Sequence, residues 1–281
     1  MLAFILGSIF IILLFTIAPL FYSAYLSLHS GRANNLSFSG FDNYSRMLDD
    51  PMLIGALKNT VSFSLILTPV VLAISFFLAN CINNVRSERL KGIYSIILFF
   101  PSITSPVAYA FFFRQVFVID GFLNNFVAIL NPSAEFSNYL LNPLGAKIAI
   151  IIVCVWAWSG YYTMFLLSAM QSVDPLVRKA AKIDGLNEFQ ILYKILLPII
   201  MPVVLFCSVL LFGGIFQLFA EVMIITRGGP EGSTITLSFY IYQLCFQFIP
   251  QFGYAASIAI LIFLISGIIG FIQLKMGDKH T

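Results

Sequence analysis

Long uncharged runs, broken by short charged ones, organise this chain. Apolar residues dominate six stretches, about 2–28, 59–83, 92–113, 148–171, 196–225 and 252–274. A helix rising 1.5 Å per residue needs about 20 residues to cross a hydrocarbon core of about 30 Å, and each run is long enough. A membrane barrel would show short segments alternating apolar and polar residues, which these runs do not. The pattern predicts an all-α integral membrane protein with six transmembrane helices in a single domain over 1–281. A further apolar stretch, 233–248, is expected to be packed extramembrane or re-entrant structure. A seventh crossing would put the two termini on opposite sides.

The connection between the fourth and fifth runs, 173–195, has a different character. Asp174-Pro175 is a good helix start, with Asp as N-cap and Pro at the first helical position. Leu176, Ala180 and Ile183 then recur at helical spacing as one apolar stripe, with Arg178 and Lys182 on another face. Gly185 suits the left-handed residue that ends a helix, so Asp184-Gly185 reads as a turn. Asn187 caps a second helix on which Phe189, Leu192, Tyr193 and Leu196 share a face until Pro198. Two readings of this hairpin are open from pattern alone. It lies on the lipid with its cations toward anionic headgroups, or it docks on a soluble protein, for which small Ala180 and Ala181 permit close approach.

Composition agrees with the membrane assignment. Of 281 residues, 60% are hydrophobic and 10% charged, against about 25% charged in soluble domains. The net charge of +3 is too small to imply nucleic-acid binding. Lys and Arg set the orientation. Arg86, Arg89 and Lys91 crowd the short second connection; Arg178, Lys179, Lys182 and Lys194 the hairpin; Lys275 and Lys279 the tail. The opposite loops are longer yet hold only Arg32, Arg46, Lys58, Lys147 and Arg227, with Arg114 near a span end. The hairpin side is therefore assigned to the cytoplasm, with both termini. The first thirty residues lack the basic region and cleavage site of a signal peptide and read as a retained span. A short cytoplasmic leader is expected ahead of it.

Candidate chemistry is sparse. Cys81, Cys154, Cys207 and Cys245 lie in or beside apolar runs without metal-ligand spacing, and His29 and His280 fall outside the spans, so no metal site is expected. No G-x-x-x-x-G-K-[ST] occurs, so the chain is not expected to hydrolyse ATP. Nor does any span carry a nucleophile–base or metal constellation, and no catalytic residue or cofactor is assigned. Glu221 is the intramembrane acid that would serve a stand-alone secondary carrier, the alternative reading. The fourth run clusters Trp156, Trp158, Ser159, Tyr161, Tyr162 and Thr163. Such a cluster is either an interfacial aromatic belt or a surface offering ring faces and hydroxyls to a sugar.

The segment Lys179-Ala180-Ala181-x-x-Asp184-Gly185, followed by Ile195-x-Leu197-Pro198, resembles the "EAA" signature of permease subunits in binding-protein-dependent ABC importers. Gly40-Phe41-Asp42-Asn43-Tyr44, Asn59-Thr60, Thr226-x-Gly228-Gly229-Pro230, Thr234 and Tyr240-x-Tyr242 resemble further signatures of the carbohydrate branch, in the same order. The chain is similar to the larger-permease class of the maltose transporter. The resemblance implies a permease half in a heterodimer with a second permease. Two cytoplasmic ATPases carrying ATP-Mg, an extracellular or periplasmic solute-binding protein and a sugar complete the system, in a bacterial-type inner membrane. It implies a coupling role for Lys179, Ala180, Ala181, Asp184 and Gly185, with Lys179 standing where the family usually has Glu. It places sugar-contacting positions at Cys154, Ala157, Trp158 and Tyr161, and at Leu211, Gly214, Ile215 and Leu218, with Gln217 as a replacement amide. The expected substrate path is Trp158, Tyr161, Gly214 and Gln217.

Overall fold

The computed structural model describes residues 2–32, 35–131 and 138–277; Lys279 and His280 lie outside them. Helix α1 (Leu2–Ile12) runs through a π-helical turn (Leu13–Ile17) into α2 (Ala18–Ser27). A two-stranded hairpin follows, β1 (His29–Arg32) antiparallel to β2 (Asn35–Phe38), with His29 opposite Phe38. Then come α3 (Asp42–Asp49), α4 (Pro51–Asn83), α5 (Glu88–Ile103), α6 (Pro106–Phe117), α7 (Phe122–Leu130) and α8 (Pro143–Ser172). The hairpin helices are α9 (Pro175–Ile183) and α10 (Glu188–Gln190), the latter continuing through a π-helical turn (Ile191–Leu196) into α11 (Leu197–Phe216). The chain ends with α12 (Leu237–Tyr242), which passes into a π-helical turn (Gln243–Gln247), and with α13 (Phe252–Gly277).

Among the described residues, six helical stretches are long and apolar enough to cross a membrane: Leu6–Ser27, Pro51–Asn83, Pro106–Leu130, Pro143–Ser172, Glu188–Phe216 and Phe252–Gln273. Their boundaries differ from the sequence expectation in instructive places. The expected run 92–113 is two helices, because α5 stops at Ile103 and Thr104 and Ser105 are extended. Pro106 disfavours helical geometry at the residue before it. The expected run 196–225 also breaks, at Gln217, before a separate π-helical turn, Val222–Thr226. In turn, α4 and α8 begin earlier than expected, with Pro51 and Pro143 in their first turns. Asp50 Oδ1 accepts from the N–H groups of Met52 and Leu53, and Asn142 Oδ1 from those of Leu144 and Gly145. Such caps satisfy donors that the first turn leaves free.

The core lies where α4, α8 and α11 meet, around Leu67, Val71, Ile150, Leu166, Leu211 and Ile215. Two contacts between elements far apart in the chain require glycine. A Cβ on Gly160 of α8 would collide with the carbonyl of Leu98 on α5, and one on Gly253 of α13 with that of His29. Large side chains such as Phe10, Phe15 and Phe21 stand outward and exposed, as on a surface solvated by lipid rather than water. The stretch 233–248 contributes α12, whose Leu237, Phe239 and Tyr240 are buried against the bundle.

Candidate functional site

The first arm and the turn of the hairpin form as the sequence predicts, but the second arm does not end at Pro198: it runs on from Glu188 through the π-helical turn into α11. Asp174 Oδ1 accepts from the Leu176 N–H at 2.8 Å, opening α9. Gly185 takes φ +80° with open space around it, so the backbone conformation, not crowding, calls for glycine here. Asn187 and Gln190 form a reciprocal capping box, at 2.8 and 3.0 Å. One carboxylate joins the two arms: Glu188 accepts from Arg178 at 2.9 Å and from Lys182 at 2.6 Å.

The burial pattern separates two faces. Ala181, Ile191, Leu192 and Leu196 are buried and fasten the hairpin to the bundle. The apolar stripe of α9 points away from the chain, with Leu176 65% and Ile183 86% exposed, joined by Phe189 at 68%. Lys179, Ala180, Asp184 and Gly185 are exposed beside it. Arg178 and Lys182 are paired with Glu188, while Lys179 takes part in no ion pair among the described residues.

Near the middle of α8, a cavity of about 250 Å³ is lined by Ser102, Trp158, Tyr161, Tyr162, Leu211 and Gly214. Trp158 is about fifteen residues from each end of its helix, roughly 20 Å at 1.5 Å per residue. The Tyr161 ring stacks on Phe99 at 6.4 Å and meets Phe165 edge-on at 5.1 Å, which fixes its orientation. Beyond the backbone of their own helix and their chain neighbours, no atom lies within 4 Å of a Cβ built on Gly213 or Gly214, so packing against other parts of this chain does not demand either glycine. Gln217 lies at the end of α11, exposed and outside that lining, its N–H bonded to the Gly214 carbonyl. Three of the four expected path residues therefore share one cavity and the fourth does not. Ser102 joins them.

The other motifs converge at the opposite end of the bundle. Asn43 Nδ2 donates to the carbonyls of Ser27 and His29, each at 2.8 Å, and Tyr44 shares a hydrogen bond with Ser27. Asn59 Nδ2 donates to the carbonyls of Gly232 and Ile235, while Thr60 Oγ1 accepts from the Leu237 N–H. Thr226 and Thr234 are paired through their hydroxyls at 2.7 Å. Tyr240 and Tyr254 both donate to Asp50 Oδ2, at 2.7 and 2.6 Å. These residues brace the loops. Burial alone would raise the Asp50 carboxyl, but the two phenols and two backbone N–H groups outweigh it and hold the group below its ordinary value. Glu221 is buried and accepts from the Tyr109 hydroxyl.

A helical membrane bundle with an aromatic-lined cavity and a projecting apolar hairpin fits a membrane transport subunit. The chain belongs to the family of binding-protein-dependent transport system inner membrane components, whose sequence profile matches residues 51–278. Among relatives of described function, it is 38% identical to the lactose transport system permease protein LacF of Rhizobium radiobacter over 96% of this chain and 91% of that one. It is 28% identical to the multiple sugar-binding transport system permease protein MsmF of Streptococcus mutans, over 93% and 89%. Its fold matches a solved bacterial ABC transporter involved in the import of the acidic polysaccharide alginate, with TM-score 0.85 at 23% identity over 99% and 94% of the two chains. Membership in this family sets aside the stand-alone carrier as the reading of Glu221.

Proposed function

We infer that this chain is one of two permease subunits of an ATP-driven sugar importer, with a disaccharide of the lactose class as its first candidate substrate. The hairpin faces the cytoplasm, where two ATPase subunits bind it, and the opposite end receives a solute-binding protein. Both termini then lie in the cytoplasm, in keeping with the Lys and Arg density of that side. The observation that carries the reading is the exposed apolar face Leu176–Ala180–Ile183 with Phe189, at the tip of a hairpin anchored by Ala181, Leu192 and Leu196.

ATP binding closes the paired ATPases and shifts the two hairpins they hold. Since α10 continues without interruption through the π-helical turn into α11, that displacement reaches the helix bearing Leu211 and Gly214 directly. The cavity lined by Trp158 and Tyr161 then opens alternately to the two sides. Indole and phenol faces cover the apolar face of a pyranose ring, and the Ser102, Tyr161 and Tyr162 hydroxyls exchange hydrogen bonds with its hydroxyls. The similarity to LacF supports the sugar class.

Reconstitution tests this directly. The chain, its second permease, the ATPase and the binding protein are placed in vesicles, and labelled lactose uptake is measured. Gly185→Trp is expected to abolish uptake and binding-protein-stimulated ATP hydrolysis, leaving membrane insertion intact. Undiminished uptake by that variant, or by the chain without any ATPase, overturns the reading.

A further inference from the structure

At the end of the bundle away from the hairpin, α6, α12 and the two π-helical turns near them enclose a second cavity of about 380 Å³. Arg114, half-buried, and Arg227, exposed, both line it, together with Gln247, Phe111 and Phe239. Two guanidiniums in one cavity repel each other, and that cost is normally offset by an anion. Neither forms an ion pair among the described residues, where the pairs are Lys91–Glu88, Arg178–Glu188 and Lys182–Glu188.

Arg227 is also an unusual choice for its place in the backbone. It sits at φ 53°, ψ 32°, the left-handed region, as the residue ending the π-helical turn. A non-glycine residue is disfavoured there, and Gly228 follows directly. Its N–H is fixed to the Val222 carbonyl at 2.8 Å. The loop beyond it is held by Thr226–Thr234 and by Asn59, so the guanidinium projects from a braced base. A side chain kept at a strained, well-supported position, in one cavity with a second guanidinium, fits preorganised recognition of an oxyanion.

The anion's source follows from the proposed function, on which this inference rests. A lactose-class sugar is neutral and supplies hydroxyls only, and the ATPases dock at the other end. We propose that the Arg114–Arg227 cavity receives a carboxylate side chain of the solute-binding protein, as a charged anchor of the docked complex.

The test uses the assembled transporter in lipid nanodiscs and the soluble cognate binding protein. Dissociation constants are measured at low and at about 0.3 M salt, for the wild type and for Arg114→Glu and Arg227→Glu. Each reversal is expected to weaken docking about tenfold or more and to flatten its salt dependence. One Asp or Glu→Arg exchange on the binding protein should restore docking of a reversed permease. Basal ATP hydrolysis and co-purification of the subunits should stay at wild-type levels. Unchanged affinity and salt dependence in both variants overturns the proposal. So does failure of either variant to assemble, which would place the carboxylate on the second permease. Altered uptake of an acidic sugar with normal docking also overturns it, by assigning the anion to the substrate. A wild-type transporter that the binding protein does not stimulate sinks the functional reading itself, and this anchor with it.

Discussion

Asn59 donates its side-chain amide to the carbonyl of Gly232 at 2.9 Å, across 173 positions of chain. The same amide also reaches the Ile235 carbonyl at 3.1 Å, and Asn59 is buried. One side chain thus satisfies two carbonyls of a loop that has no regular structure of its own. Asn59→Leu keeps the volume and removes both donors. Each orphaned buried carbonyl costs about 1–3 kcal/mol, so a clear fall in melting temperature is expected, together with faster proteolysis within the 226–236 loop. Asn59→Asp should be at least as damaging, since it replaces the donors with acceptors.

Asp50 gives a pH dependence with a definite sign. Its carboxyl lies below its ordinary value in the folded chain, so the clasp contributes fully above the unfolded value of about 3.9 and is lost as pH falls through the lower folded value. Above about pH 5 its contribution should be constant. Asp50→Asn should lower stability by about 2 kcal/mol at neutral pH and remove part of the acid limb of the unfolding curve. Thermal scans of the purified protein from pH 3 to 7 check this, as design values spanning the carboxylate range.

The contact between Gly160 and the Leu98 carbonyl leaves no room for a methyl group. Gly160→Ala is expected to push α5 from α8 at an overpacking cost of about 1–3 kcal/mol. Trp158 and Tyr161 share that helix and Ser102 lies on α5, so the same change deforms the cavity. The expected signature is reduced uptake with the hairpin still able to bind the ATPase, measured by co-purification. Gly214→Ala, with open space around it, should assemble normally and reduce uptake without destabilising the chain.

Tyr161→Ala and Trp158→Ala remove ring faces from the cavity proposed as the path. Each should lower sugar uptake about tenfold, equivalent to ~1.4 kcal/mol, while ATP hydrolysis without substrate persists. Tyr161→Phe separates the two contributions, because it keeps the ring and loses the hydroxyl. Normal uptake by both alanine variants would take these residues off the path.

Glu188 is solvent-exposed, as is its partner Lys182, so its ion pairs contribute at most about 1 kcal/mol to stability. Its effect should be on transmission instead. Glu188→Gln frees α9 from α10, and the number of sugars moved per ATP hydrolysed should fall while the melting temperature stays near that of the wild type. An unchanged transport-to-hydrolysis ratio would show that the two arms need no mutual tie.

Much of this architecture can be read from the residues, and the parts that cannot share a physical reason. Caps and turns are local, so Asp174, Gly185 and Asn187 announce the hairpin in sequence and build it in space. Polar residues inside helices hide the true ends of spans. Lys58, Asn59 and Thr60 look like a boundary, yet α4 starts at Pro51 because the 226–237 loop supplies partners for Asn59 and Thr60. The break at Thr104–Ser105 was marked by Pro106, though nothing local distinguishes it from a simple kink. Pairings such as Tyr109 with Glu221, or Arg114 beside Arg227, join residues more than a hundred positions apart. No period or spacing encodes them. In the same way, the aromatic cluster of α8 fixed the location of the cavity, while its far wall, Leu211 and Gly214, depended on how α11 came to lie across from it.

Neither Gly213 nor Gly214 is covered by another part of this chain. A groove that is still open at those two glycines leaves part of the recognition to whatever polypeptide closes it, so this chain dictates only a share of the diet. Exchanging the companion half, with every residue here untouched, is then the shortest mutational route to a new nutrient.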